Sequence, residues 1–230
     1  RGVRRAGAGR CGVTHPLGLT PDEVTALHAP RPSPRSGHWL QTFSGARFDL
    51  RHPRAADIRT EDICHALACV NRYTGHALRP YSVAEHSVRV AMLVEPRHRK
   101  AALLHDATEA YVNDLAAPFK RMPELTGYRD TETAVWHKVC ERFDLDLRLP
   151  AEVKRADLIA FEVERRILLG EPPEPWALAV SDEDADRAAC LWSGEGEPAL
   201  AWSAVRGGLG WNWAHARDRL RECLSREGTR

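Results

Sequence analysis

Apolar residues recur at helical spacing through most of the chain beyond residue 60, and one such run places a histidine among them. Val83, His86 and Val90 share a face, which predicts an amphipathic helix with His86 on its buried side. Ser82 and Glu85 have the spacing of a capping box at the start of that helix. The pattern therefore predicts a core helix with an imidazole in its apolar face.

A second apolar run, residues 101–111, predicts the next helix and carries a cluster of polar residues. His105 and Asp106 are adjacent, and Glu109 follows them by four and three residues. In a continuous α-helix these spacings put all three side chains on one face. Several unpaired polar side chains are costly to bury, so we expect this face to line a site rather than a sealed core.

Other segments predict a small hairpin and more helices. Residues 38–50 alternate around Ser44-Gly45, which is typical of a β-hairpin. The Gly-rich stretches near residues 194–198 and 206–210 are interpreted as turns. The further predicted helices are one after Thr60, one capped by Thr131, one opened by Pro150 that carries Asp157, one near residues 181–192, and a last one with Trp213, Ala216, Leu220 and Leu224 in register. The fold class is predicted as all-α with a minor hairpin.

Composition limits the classes of protein that fit. The chain has 230 residues, of which 43% are hydrophobic and 28% charged, with a net charge of +1. These values fit one globular domain and do not favour a nucleic-acid polymer or a membrane surface as partner. The six cysteines lack zinc-ligand spacing, and Cys64, Cys69, Cys140 and Cys223 fall in helical patterns. We expect them to be small core residues of a reduced, cytoplasmic protein.

The chain divides near residue 37. Residues 1–37 are rich in Arg, Gly and Pro, which predicts a flexible N-terminal extension with a short helix at residues 21–29. Residues 38–230 then form the patterned domain.

The polar residues of the two central helices suit a metal. Neutral imidazole and carboxylate are ligand types for divalent manganese, cobalt, nickel or magnesium. A lone histidine on an apolar face is usually a hydrogen-bonded core residue. Two histidines, an adjacent aspartate and a glutamate on the same face in consecutive apolar helices favour a metal site instead.

The segments YSVAEHS, LLHDATEAYVNDLAAPFK and RADLIAFEVERR resemble the H…HD…D pattern of the HD-domain phosphohydrolases. The resemblance extends from about Trp39 to about Arg166. It is closest to the small nucleotide-hydrolysing branch, which includes 5′-deoxynucleotidases and phage-type dATP triphosphohydrolases. It implies an HD-type helical bundle over residues 38–230, with one divalent ion (Mn, Co, Ni, Mg or Zn) as cofactor. The ligands that it implies are His86, His105, Asp106 and Asp157, although Asp157 could also be a solvated helix residue.

Further residues are assigned to the site as a hypothesis, Glu109 and Lys120 from their chemistry beside the ligands and Asp114 from the resemblance. Glu109 orients or deprotonates the attacking water or returns a proton to the leaving alcohol, and Lys120 neutralises charge on the phosphate. Asp114 is implied as a site carboxylate, with an N-cap before residues 115–120 as the alternative. Arg72 and Tyr73 stand near the position of an Arg-Trp pair that contacts substrate in the resembled deoxynucleotidases. Arg72 capping a helix C-terminus remains open.

The function expected from these residues is metal-dependent hydrolysis of deoxynucleotides. A preference for 5′-monophosphates, giving nucleoside and phosphate, is expected because Lys120 and Arg72 are the cations assigned to the site. A triphosphohydrolase releasing tripolyphosphate is the alternative, and a non-catalytic nucleotide-binding module is a third hypothesis. Tyr73, Trp39 and Phe48 offer rings that could stack on a base. The expected partner is a small-molecule nucleotide, and homo-oligomerisation stays open.

Overall fold

The computed structural model describes residues 37–228, and the compact unit that carries the elements below starts at His38. The predicted N-terminal extension, apart from Gly37, and the helix predicted at residues 21–29 lie outside the described residues.

A two-stranded antiparallel hairpin opens the described chain, as the alternating pattern predicts. Strands β1 (Trp39–Gln41) and β2 (Arg47–Asp49) pair with Leu40 opposite Phe48. Gly45 turns the chain at φ 80°, a left-handed conformation that glycine adopts without steric cost. Asp62 holds the turn from the next helix, since its carboxylate accepts hydrogen bonds from the N–H and the hydroxyl of Ser44.

All the remaining regular elements of the described residues are helical, which confirms the predicted fold class. Several short 3-10 turns, including Tyr73–Gly75, connect them. The α-helices are α1 (Thr60–Cys69), α2 (Val83–Met92), α3 (Arg99–Leu104), α4 (Glu109–Val112), α5 (Ala117–Lys120), α6 (Thr126–Phe143), α7 (Ala151–Leu168), α8 (Asp182–Ser193), α9 (Pro198–Gly208) and α10 (Trp213–Arg226). None of these helices combines the length and hydropathy needed to cross a bilayer.

Helix α2 lies at the centre of the core. Its residues 83–91 are all buried, because α1, α3, α7, α8 and α10 contact it. Ser82 caps the helix as predicted, and its hydroxyl accepts a hydrogen bond from the Glu85 N–H at 3.1 Å. The reciprocal half of a capping box is replaced by contacts between the Glu85 carboxylate and the chain before α10.

The helix predicted over residues 101–111 is broken in the structure. α3 ends at Leu104, and turns 105–108 separate it from the single turn of α4. Through this stretch the hydrogen bonds join residues three apart, as in the bond from the Glu109 N–H to the Asp106 carbonyl. This tighter winding changes the directions in which the polar side chains point, and apolar spacing alone does not reveal it.

Other boundaries also differ from the sequence predictions. Thr60 is the first residue of α1 and not its cap, and Thr131 lies inside α6, where its hydroxyl bonds to the carbonyl of Gly127. α9 was not predicted, and residues 206–208, which were interpreted as part of a Gly-rich turn, form its last turn instead. Trp213 is 51% exposed and so not a core residue of α10, whereas Ala216, Leu220 and Leu224 are buried as predicted.

The cysteines of the described residues are free thiols. Cys64 and Cys140 are buried as predicted, and Cys223 is half-buried. Cys69 is exposed, so the prediction that it packs in the core was wrong. It lies at the C-terminal end of α1, where the helix face turns toward solvent.

Candidate metal centre

The site is built around His86, whose side chain is fully buried in α2. Its Nδ1 lies 2.6 Å from Oε1 of Glu164, which is also fully buried. A carboxylate accepts a hydrogen bond, so Nδ1 carries the proton and Nε2 presents a lone pair to the site.

His105 has the same orientation for a different local reason. Its Nδ1 donates to the Ala102 carbonyl at 2.8 Å, one turn back along α3. The Nε2 atoms of His86 and His105 consequently face each other at 3.3 Å. Two imidazoles fixed in this tautomer offer two acceptor nitrogens to a common point.

Two carboxylates approach the same point. Oδ2 of Asp106 lies 3.2 Å from His105 Nε2 and 3.7 Å from His86 Nε2. Oδ1 of Asp157, from α7, lies 3.1 Å from His86 Nε2 and 3.8 Å from His105 Nε2. All four predicted ligands therefore meet, although the whole of α4, α5 and α6 lies between Asp106 and Asp157 in sequence.

The ligand atoms of His86, His105 and Asp106 lie within 4.8 Å of one another and could hold a metal ion. Asp157 joins this group through its short distances to both imidazoles. Burial opposes a charge on His105, but the carboxylates of Asp106 and Asp157 outweigh it and raise the imidazole's pKa well above its ordinary value. A divalent cation would replace the proton on His105 Nε2 and interact with the same carboxylates, so the donor set fits a metal.

Glu164 contacts the candidate site, although the sequence analysis did not assign it there. Beyond its contact with His86, it accepts hydrogen bonds from the hydroxyls of Tyr73 at 2.7 Å and Tyr81 at 2.8 Å. Arg72 Nε lies 3.3 Å away. Such outer contacts fix the tautomer and orientation of a metal-binding histidine. The signal in the sequence was the seven-residue spacing from Asp157, which puts both on one face of α7.

Arg72 and Tyr73 lie at the site, but their contacts are with protein carboxylates. The Arg72 side chain is 12% exposed and bridges Glu164 and Asp106, with Nη1 3.4 Å from Asp106 Oδ2. It does not cap a helix C-terminus, because α1 ends three residues earlier at Cys69. Its guanidinium also lies 5.4 Å from the Tyr73 ring centroid. Both residues thus contact carboxylates that surround the two histidines.

Glu109 lies beside the ligands with an uncommitted oxygen. The residue is 6% exposed, and its Oε2 makes no hydrogen bond within residues 37–228. Burial and the nearby carboxylates of Asp106 and Asp114 raise the pKa of Glu109 well above its ordinary value. A buried carboxyl group with a free oxygen and a raised pKa can accept or donate a proton at the site.

Lys120, on α5, lines a cavity beside the candidate metal ligands. The cavity has a volume of about 250 Å³, and His105, Asp106, Glu109 and Lys120 are among its lining residues. The ammonium group donates to Glu132 at 2.7 Å, which outweighs burial and raises the pKa of Lys120. The lysine therefore carries its charge into the cavity while anchored to α6.

Asp114 is half-buried in the loop after α4. Burial raises its pKa, and Arg72 and Lys120 oppose the shift, so it lies within the electrostatic field of the site. α5 begins at Ala117 and its N-cap is Ala116, so Asp114 does not serve as the N-cap considered as its alternative.

Of the two hairpin aromatics that were candidates for base stacking, Phe48 is fully buried against Tyr111, with ring centroids 4.0 Å apart. It is a core residue, and the stacking hypothesis for it was wrong. Trp39 is half-buried and has Arg47 5.4 Å from its ring centroid.

Sequence comparison places the chain among bacterial relatives. No protein-family model matches it. A 130-residue alignment covering 56% of this chain and 72% of "Uncharacterized protein YfdR" of Escherichia coli (strain K12) shows 38% identity. A 138-residue alignment covering 56% of this chain and 70% of "Uncharacterized protein RCAP_rcc00048" of Rhodobacter capsulatus shows 40% identity. At this identity and coverage, the chain belongs to the family that contains these two proteins.

Proposed function

We propose that the protein is a metal-dependent phosphohydrolase of the HD-domain type that acts on deoxynucleotides, with 5′-monophosphates as the preferred substrates. The observation that carries this proposal is the convergence of His86, His105, Asp106 and Asp157 on one point beside the uncommitted carboxyl group of Glu109. The sequence pattern that resembles the HD signature supplies the same four residues.

In this proposal the two imidazoles and two carboxylates hold one divalent ion, which supplies Lewis acidity toward a phosphate oxygen and lowers the pKa of water. Mixed nitrogen and oxygen ligands suit manganese, cobalt, nickel or magnesium better than a structural zinc site rich in thiolates. Glu164 holds His86 in the binding tautomer from outside this ligand set.

The remaining groups act on the phosphate ester. Glu109 moves a proton, either from the attacking water or to the leaving 5′-oxygen. Lys120 offsets charge that grows on the phosphoryl oxygens, where Glu132 holds its ammonium group. Arg72 is held by Asp106 and Glu164, so its main effect is to fix the ligand shell and to add a positive field.

The charge available favours a monophosphate over a triphosphate. Lys120 and Arg72 are the cations assigned to the site, and both already contact carboxylates. A triphosphate would bring at least two further negative charges that these residues are poorly placed to neutralise. Release of phosphate, rather than tripolyphosphate, is accordingly the outcome that we expect.

The test is a turnover assay on the purified full chain loaded in turn with manganese, cobalt, nickel, magnesium and zinc. Each form is incubated with all deoxynucleoside 5′-mono- and triphosphates, and phosphate and tripolyphosphate are quantified separately. Phosphate from monophosphates supports the proposal, and tripolyphosphate would replace it with the triphosphohydrolase. Nucleotide binding without turnover under every metal would indicate a non-catalytic module and contradict the proposed activity.

A further inference from the structure

A second, larger cavity adjoins the one beside the metal ligands. It is an open cleft of about 630 Å³ between α4 and the N-terminal part of α6. Within the described part of the chain, Glu109 is the residue that lines both this cleft and the 250 Å³ cavity. The carboxyl group proposed to move a proton therefore stands at the junction of the two.

A second contact joins the cavities. Lys120 lines the smaller cavity, and its ammonium nitrogen lies 5.7 Å from the ring centroid of Tyr128, which lines the cleft. The Tyr128 hydroxyl donates to the Asn113 carbonyl at 2.9 Å, which fixes the ring against the other wall. Lys120 and Tyr128 thus lie at the boundary between the two cavities, and each is held in place by a hydrogen bond, to Glu132 and to Asn113 respectively.

The cleft differs in chemistry from the cavity beside the ligands. Its apolar walls come from half-buried side chains on four separate segments, Leu50, Val70, Val112 and Tyr128. Polar groups stand among them: Asn113 accepts a hydrogen bond through Oδ1, while its Nδ2 donates none among residues 37–228. An apolar cleft with an aromatic ring and a few polar groups suits a flat organic ring system.

The geometry points to this cleft as the subsite for the nucleoside part of the substrate, with the base between the apolar walls and the 5′-oxygen at Glu109. The inference rests on the proposed function, because the phosphate must lie in the cavity with the metal ligands for the nucleoside to extend past Glu109. It identifies the substrate class by its leaving group: a monoester whose alcohol carries a flat aromatic base, rather than a simple sugar phosphate, which has no ring system to pack between these walls.

Thr131 offers a way to fill the cleft without touching the metal ligands. It lines the cleft from α6, is half-exposed, and its hydroxyl bonds only back to the Gly127 carbonyl, an interaction that contributes little to helix stability. Thr131→Trp should occupy the space of the base. His137→Trp is the matched control, because this exposed position lies on the same helix outside the cleft.

Two measurements test the inference. With the manganese-loaded protein, Thr131→Trp should raise KM for 2′-deoxyadenosine 5′-monophosphate by about tenfold to a hundredfold with little change in kcat, and His137→Trp should leave KM unchanged. With the parent protein, 2-deoxyribose 5-phosphate should have a KM higher by a similar factor, because it lacks the base. This second measurement requires no variant to fold.

The possible results separate the subsite from the activity. Suppose that Thr131→Trp has the same melting temperature as the parent and hydrolyses the nucleotide with unchanged KM. This result would overturn the subsite and leave the proposed function standing. Equal KM values for the nucleotide and the base-free phosphate would overturn it as well. If the parent hydrolyses neither compound, the metal-free protein is titrated with 2′-deoxyadenosine. Binding that is lost in Thr131→Trp but kept in His137→Trp supports the subsite without the proposed activity. No binding of 2′-deoxyadenosine to the parent overturns both the subsite and the proposed function.

Discussion

Glu85 and His86 are neighbours on α2 and both side chains are fully buried, yet they face opposite kinds of surroundings. The Glu85 carboxylate accepts hydrogen bonds from the N–H groups of Gly210 at 3.0 Å and Trp211 at 2.7 Å. Arg89, one turn later, lies 3.5 Å away. Among residues 37–228, the groups that hydrogen-bond or ion-pair with this carboxylate are donors or a cation. Burial raises the pKa of Glu85 to about 7, and these donors oppose the shift.

His86 has one complementary partner, Glu164, whose carboxylate accepts a hydrogen bond from Nδ1. On the Nε2 side it meets another imidazole nitrogen and two carboxylate oxygens, all of which are acceptors when the histidines are neutral. A buried group with complementary partners holds the fold together. A buried group facing others of its own kind needs something more, and here a cation would satisfy it. Since both residues are fully buried, it is their partners that distinguish a polar residue that holds the fold together from one that could bind a cation.

We call Glu85, Arg89, Gly210 and Trp211 the structural cluster. Gly210 occupies a position in it that has little room for a side chain. Its φ is +87°, and a Cβ at this position would lie 3.0 Å from both the Arg79 side chain and the Pro80 carbonyl. Only glycine brings its N–H close enough to Glu85 in this conformation. Arg89 is placed with similar care, between the rings of Trp192 and Trp211 at 5.4 and 4.9 Å. The chain before α10 is thereby fixed to α2.

We call His86, His105, Asp106 and Asp157 the functional cluster. The largest effect is expected where acceptors of this cluster are removed. His105→Ala and Asp106→Ala should reduce metal content from about one ion per chain to none, and turnover to background, because too few ligands remain. Elemental analysis of the purified variants checks this, with exposed Asp130→Ala as control. Unchanged metal in both variants would contradict the site. Asp157→Ala tests the ligand that comes from a separate helix.

A second substitution, beside the functional cluster, separates chemistry from metal binding. Glu109→Gln should keep the metal and still bind nucleotide, while turnover falls by about two to four orders of magnitude, as for a lost proton-transfer group. The measurements are kcat and metal content on one preparation. Parent-like turnover in this variant would remove Glu109 from the mechanism.

The structural cluster should respond in stability and not in metal binding. Glu85→Ala removes the carboxylate that pairs with Arg89 and leaves two backbone N–H groups without their acceptor, so the free energy of unfolding should fall by about 3–5 kcal/mol. Urea denaturation of the metal-free protein measures this. Glu85→Gln, whose amide oxygen can still accept, should lose less. A normal metal content in the folded variant is expected, and an empty site would mean that the two clusters are coupled.

The smallest effect is expected at Glu164, the complementary partner of His86. Glu164→Gln should weaken metal affinity by about tenfold to a hundredfold, because the neutral amide polarises His86 less and fixes its tautomer less firmly. Competition with a chelator measures the affinity. Glu162→Gln is the matched control, since this carboxylate on the same helix bonds to Arg165 and Arg166. Equal losses in the two variants would show that the effect comes from α7 as a whole.

Local patterns predicted much of this molecule. The hairpin around Ser44-Gly45, the Ser82 cap and the burial of His86 follow from short-range rules, and the structure has all three. The ligand positions came from the spacing of residue types together with a family resemblance. The break after Leu104 escaped prediction, because apolar periodicity barely distinguishes a continuous helix from one with a tight turn inside it.

By itself, then, the sequence determined which residue types are available and, where a helix is continuous, most of the residues on its buried face, because those follow from composition and a 3.6-residue period. Only the tertiary structure decided their partners. Tyr73 and Arg72 appeared as substrate contacts, yet packing of α7 against α2 brings Glu164 to them and to His86. Glu132 likewise claims Lys120 through the fold of α6. Partners of buried charges are set by long-range packing, since desolvation selects the nearest complementary group in space, whatever its distance in sequence.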